Sequence, residues 1–228
     1  APCRRVKMRV KAAKGEFSGG TVASLMNVVK EMTHDAGLRK LLADPYAICP
    51  PNYGVTLPQP DVVKAEYDAD AKSWIAPFVM AGVNTRVVHR TNALQAHRYG
   101  RDFLYDEALM TGDGFAGRLK AIGLTGAIAA FLGATLLPPT RWALERWVLP
   151  KPGEGPSPEV QRNGYYDVRF FGTRPDGSQV KMKLTGDRDP GYGSTAKMLG
   201  ESAACLALDA LAPDAAGGGF LTPATAMG

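Results

Sequence analysis

The feature that most restricts the fold is a pair of alternating runs, Tyr165–Phe171 and Gln179–Leu184, separated by the turn sequence Thr173-Arg-Pro-Asp-Gly177. Alternation with a period of two predicts half-buried strands, and Pro-Asp-Gly between them predicts an antiparallel β-hairpin. A sheet that contains such a hairpin is not the all-parallel, doubly buried sheet of an α/β fold. This matters because the next segment, "LTGDRDPGYGSTAKMLGES", contains Gly191, Gly193 and Ala196 in a G-x-G-x-x-A pattern, with Asp209 further on. In a dinucleotide-binding fold those residues would hold a pyrophosphate and a ribose. Here the preceding strand, Val180-Lys-Met-Lys-Leu184, alternates and belongs to the hairpin. Too few residues follow for the rest of a βαβαβ unit, so the pattern is not read as a nucleotide fingerprint.

What the loop does offer is a tight turn into a helix whose first N–H groups are free to attract an anion. Asp189, Gly191, Gly193, Ser194, Thr195 and Lys197 are therefore candidate substrate-binding residues. The alternative is a capped helix that packs through Met198, Leu199, Ala203 and Leu206. A second loop of the same chemistry, Ser18, Gly19, Gly20 and Thr21, precedes a helix predicted from the spacing of Val22, Leu25, Met26 and Val29.

The first strand alternates as well. Val6, Met8 and Val10 are expected on one face, and Arg5, Lys7, Arg9 and Lys11 on a basic outer face. Short helices or strands are expected at 35–43, 74–80, 83–97 and 103–110, with an ordered proline-rich excursion at 44–61. No internal repeat or domain boundary is visible. Residues 121–140 carry no charge. Two readings of that stretch stand: a buried helix, or a helix at a membrane surface anchored by Trp142 and Trp147.

The formal charge of +5 suits an anionic partner, but no nucleic-acid motif accompanies it, and nucleic acid is not expected as a partner. Cys3, Cys49 and Cys205 are odd in number and far apart, and His34, His89 and His97 are scattered. Neither a disulfide framework nor a metal site is expected, and a reducing, cytoplasmic setting is the default. The chain begins APCRR without a methionine or an apolar leader and ends in TPATAMG, as expected for a piece excised from a longer protein.

Five stretches, "GEFSGGTVAS" (15–24), "APFVMAGVNTRVVHRTNAL" (76–94), "RNGYYDVRFFG" (162–172), "GDRDPGYGSTAKMLGESAACLALD" (186–209) and "GGGFLTPATAMG" (217–228), resemble the C-terminal half of saccharopine dehydrogenase-like oxidoreductases. That family includes trans-acting enoyl reductases of glycolipid synthesis. The resemblance implies an α+β domain, with a mixed, largely antiparallel sheet and helices on one side. It would be a single C-terminal substrate and assembly domain, 1–228, whose Rossmann-type NAD(P)-binding partner lies N-terminal in the same protein. The isolated domain is expected to be inactive. In such a reductase Arg86 and Lys197 are candidates for charge neutralisation and Tyr192 for proton donation. A homodimer is expected. The competing reading is a non-catalytic module that uses Arg5, Lys7, Arg9, Lys11, Lys181 and Lys183, or the 121–147 region, to meet a protein partner or a lipid surface.

Overall fold

The computed structural model describes residues 2–16, 19–151, 153–209 and 217–228. Six strands form one open sheet: β1 (Arg5–Lys14), β2 (Glu66–Asp68), β3 (Ser73–Pro77), β4 (Leu104–Gly112), β5 (Tyr165–Thr173) and β6 (Gln179–Gly186), in the order β2-β3-β4-β1-β5-β6. Only β1 and β4 run parallel; the other four pairings are antiparallel. The molecule is thus α+β with a mixed sheet. Eight helices are described: α1 (Gly19–His34), α2 (Ala36–Ala43), α3 (Ala81–Leu94), α4 (Gly114–Leu136), α5 (Pro138–Trp147), α6 (Pro158–Asn163), α7 (Gly193–Leu208) and α8 (Pro223–Ala226).

The predicted hairpin is present as β5 and β6, with Phe170 opposite Met182 and Val168 opposite Leu184. Met8, Val10, Phe103 and Tyr105 make the main core, against which Val6, Val88, Val168 and Phe170 pack. A smaller cluster joins Val62, Ile75 and Ala108. The proline-rich excursion is fastened rather than loose. Gln59 donates to Tyr46 Oη (2.7 Å) and to the Phe103 carbonyl, and its own carbonyl accepts from Tyr105 N. Buried Asn92 secures the turn after α3, accepting from Tyr99 N and donating to the Gly100 carbonyl. That turn ends α3 at Leu94, so His89 and His97 do not share one continuous helix.

Three expectations are corrected. The basic face of β1 is not a solvated surface: Arg9 is 1% exposed. Its guanidinium meets Asp68 at 2.8 Å and Asp106 at 2.6 Å, while Lys7 pairs with Asp68 and Asp70, and Arg5 with Asp106. Lys181 and Lys183 do lie on the same sheet, in register with Phe171 and Arg169 and through them with Lys7 and Arg9, but Arg5, Lys7 and Arg9 are paired with carboxylates and of the predicted β1 face Lys11 alone is exposed. A charged residue can alternate perfectly and still be inward if carboxylates wait for it. Second, α4 starts seven residues before the uncharged stretch, capped by Asp113, and stops at Leu137. It is not a buried helix: Phe115, Leu119, Ile122 and Leu136 are exposed. Among the described residues it is the one helix long and apolar enough to cross a membrane. Third, Met198, Leu199 and Leu206 of α7 remain exposed instead of packing.

Candidate functional site

The loop before α7 is built around Asp189, which is fully buried. Its Oδ2 accepts from Tyr192 N at 2.8 Å and its Oδ1 from Gly193 N at 2.7 Å. Ser194 N donates to the Asp189 carbonyl, Ser194 Oγ to Arg188 O, and Thr195 Oγ1 to Pro190 O. The anion at this helix end is therefore the chain's own carboxylate, and the N–H groups of Tyr192, Gly193 and Ser194 and the hydroxyls of Ser194 and Thr195 are used internally. Close backbone approach explains two glycines. A Cβ on Gly164 would sit 2.3 Å from Asp189 Cα, and one on Gly191 would sit 2.8 Å from the Glu16 carbonyl. The second contact brings Glu16, at the exit of β1, against the DPGYG loop, whereas Gly19 lies against the Pro150 and Lys151 carbonyls.

The remaining candidates are dispersed. Ser18 lies outside the described residues. Gly19 opens α1 and donates its N–H to the Glu154 carbonyl, and Gly20 and Thr21 are exposed in its first turn. Tyr192 is 42% exposed, and Lys197 is exposed on α7. Arg86 stands apart from both loops, on α3, where its guanidinium donates to the carbonyls of Leu42 and Asp44.

Arg86 borders a different feature: a cavity of about 1030 Å³ between α1, α3, α4 and the proline-rich excursion. Leu25, Val29, Leu57, Phe78, Ile128 and Leu132 are among its apolar walls. Tyr105 and Glu107, both on β4, also line it. Glu107 is 3% exposed. Tyr105 Oη is 2.9 Å from its Oε1, and Asn84 Nδ2 donates to its Oε2 at 2.9 Å. Burial raises the Glu107 carboxyl above the usual range; hydrogen bonds from Asn84 and Tyr105 oppose that shift, and neighbouring Asp106 adds to it. Burial and the Glu107 carboxylate likewise raise Tyr105. Burial thus moves the Glu107 carboxyl toward its neutral form, while the Tyr105 hydroxyl and the Asn84 amide both donate to it and fix its orientation on the wall of an apolar cavity.

The sequence reading missed this group. The available signal was Tyr105-Asp-Glu107 inside an otherwise apolar strand: two adjacent carboxyls on opposite faces of a strand require polar partners on both sides. Asp106 finds Arg9 and Arg5; Glu107 finds Tyr105 and Asn84. Among the described residues no His, Cys, Asp and Glu cluster could hold a metal ion.

Comparison with known proteins gives a consistent set. The chain is 38% identical over 234 residues to a Mycobacterium tuberculosis protein provisionally named a trans-acting enoyl reductase, covering 96% of this chain and 54% of that protein. Its relatives are named enoyl reductases. Trans-acting enoyl reductases of Mycobacterium ulcerans and Mycobacterium bovis are 37% and 36% identical, each over 92% of this chain and 52% of their own length. The chain thus spans about half the length of the curated relatives it matches. No family model matches, and no solved structure matches.

Proposed function

We propose that this chain is the substrate-binding and assembly half of an enoyl reductase, and that its cavity takes the apolar acyl portion of the substrate. The observation that carries this reading is the cavity itself, apolar on most of its wall with Tyr105, Glu107 and Arg86 as polar groups. Such a site can exclude water and fix an acyl chain while a few polar groups orient its reactive end. The reducing equivalent comes from NAD(P) held by a Rossmann domain elsewhere in a longer protein, in keeping with the resemblance to saccharopine dehydrogenase-like enzymes. The α7 loop is not suited to dinucleotide binding, because Asp189 occupies its N–H donors. Exposed Met198, Leu199 and Leu206, with Lys197 on α7 and Tyr192 at its N-cap, are assigned to the contact with that domain. The edge strand β6, with Val180, Met182 and Leu184 exposed, is assigned to a homodimer contact; a monomer mass in light scattering at micromolar concentration would remove that assignment.

The experiment is titration of this chain with a fluorescent long-chain fatty acid, cis-parinaric acid. Val29→Trp and Ile128→Trp, which fill the cavity from α1 and α4, should each weaken binding by about tenfold or more. Unchanged affinity in both would exclude the cavity as the acyl site.

A second reading, association with a lipid surface, is favoured by the exposed apolar side of α4 and by Trp142 and Trp147. These tryptophans are exposed and edge-to-face at 5.0 Å. Co-sedimentation with neutral and anionic liposomes tests it, and background levels with both would dispose of it.

A further inference from the structure

We infer that the cavity takes its acyl ligand directly from an anionic lipid bilayer, through a mouth where α1, α4 and α5 meet, with Trp142 and Trp147 seated among the headgroups; this rests on the cavity being the acyl site and gives the lipid contact a role. The starting point is α4. A helix that is apolar all round belongs in an enclosed place, yet only Gly117, Ala121 and Thr135 of α4 are buried. One stripe, Thr125, Ile128, Ala129, Leu132 and Leu136, lines the cavity. A second, Phe115, Leu119 and Ile122, is exposed and lies about a quarter turn away round a helix of about 3.6 residues per turn. No buried seam divides the two. Ala129, Leu132 and Leu136 line the cavity and are themselves exposed, as is Val28 on α1. The cavity is therefore open on this side, and its apolar wall runs on into the apolar surface of α4.

The same surface continues onto α5. Pro138 and Pro139 end α4 and open α5, and Thr140 Oγ1 donates to the Ala134 and Leu137 carbonyls, which fixes the elbow. A smaller cleft sets Val22 and Met26 of α1 beside Arg141 and Glu145 of α5, so α1 spans from the elbow to the cavity. Leu137, Trp142, Trp147 and Val148 are exposed around that elbow, next to Leu136 at the mouth. The chemistry fits a bilayer. Indole rings favour the headgroup level of a membrane. Cations flank the uncharged stretch at both ends, Arg118 and Lys120 before it and Arg141 and Arg146 after it, while α4 holds no acidic residue and α5 only Glu145. Among the described residues none of the four cations is paired with a carboxylate. Unpaired cations beside an apolar surface complement anionic headgroups. Passage through water would slow release of an acyl chain about fourfold for each methylene exposed. An open mouth pressed to the bilayer removes that barrier.

The test follows cis-parinaric acid as it leaves vesicles for the protein. Phosphatidylcholine vesicles with about one third phosphatidylglycerol, the anionic component, carry the acid and a headgroup-attached quencher, so fluorescence rises on transfer to an excess of this chain. The rate should increase in proportion to protein concentration, because transfer needs contact. It should drop by about fivefold or more on pure phosphatidylcholine vesicles, where the flanking cations lose their counter-charge. The double variant Trp142→Ser, Trp147→Ser should transfer about tenfold more slowly. Its affinity for cis-parinaric acid in vesicle-free buffer should match the wild type, since neither ring lines the cavity, and that match is its folding control. A rate independent of protein concentration, or wild-type transfer by the double variant, overturns the portal and leaves the acyl cavity standing. No binding of the acid by the wild type in vesicle-free buffer overturns both.

Discussion

Replacing Arg9 by Met is the sharpest test of how the sheet is held together. Arg9 is 1% exposed, and its guanidinium serves Asp68 at 2.8 Å, Asp106 at 2.6 Å and the Met8 carbonyl at 2.9 Å. Methionine fills much of the space but leaves the two carboxylates without this partner: Asp106 keeps partly exposed Arg5, and Asp68 keeps Lys7. Removing one member of a buried ion pair costs about 3–5 kcal/mol. That is a large share of the roughly 5–15 kcal/mol that holds a typical domain together. For a chain of this size the melting temperature should fall on the order of 10 °C. Urea denaturation at pH 7 measures the loss directly. The triple variant Arg9→Met, Asp68→Asn, Asp106→Asn should recover more than half of it, since the penalty lies in stranded charge and not in lost packing. Acid gives an independent handle. Burial alone would raise the Asp68 carboxyl, but Arg9 and Lys7 outweigh it and hold it below 3.8. Its stabilisation in the wild type is therefore present above that value and lost as pH falls through the lower folded one. In Arg9→Met the carboxyl protonates more readily, so the gap between the two proteins should narrow in acid. A loss below about 1 kcal/mol, or a triple variant no more stable than the single one, would refute the argument.

Two further outcomes follow from buried polar groups. Burial lowers His89 from 6.5 to about 4, so the unfolded chain binds a proton in that window and the folded chain does not. Stability should fall by about 3 kcal/mol between pH 6.5 and 4 and level off below, and His89→Asn should flatten that part of a urea-midpoint profile. Asp189→Ala strands the N–H groups of Tyr192 and Gly193. It should cost about 2 kcal/mol and raise hydrogen exchange at both amides, whereas exchange at the wild-type rate would show that the cap holds nothing.

The parts of the fold that were legible in the sequence are those where local chemistry and tertiary position agree. The hairpin is one, because Pro-Asp-Gly makes the turn whatever surrounds it and alternation fixes the faces. The helices after Asp35 and after Gly193 are others. The first strand shows the limit: its period was right, but period does not say which face is wet. Only the arrival of Asp68 and Asp106 from distant segments makes Arg9 an inward residue. The α7 loop fails as an anion site for a related reason, since its ligand is an aspartate four residues upstream of the helix it caps. The cavity was invisible because its wall is assembled from α1, α3, α4 and the proline-rich excursion, and apolar side chains carry no mark that says they border a space. Tyr105 and Glu107 were within reach of sequence reasoning, had two adjacent carboxyls inside a strand been treated as a demand for partners.

The position of β1 has a consequence for how the chain comes together in time. The first strand of this sheet in sequence order lies near its middle, pairing Arg5 with Leu104 on one side and with Thr173 on the other. One of its edges waits for residues 104–109 and the other for 165–173, and the carboxylates that pair with Arg5, Lys7 and Arg9 come from the segment 68–106. Long-range pairings of this kind slow folding. Until then Arg9, which the finished sheet buries, carries its charge without Asp68 or Asp106 beside it.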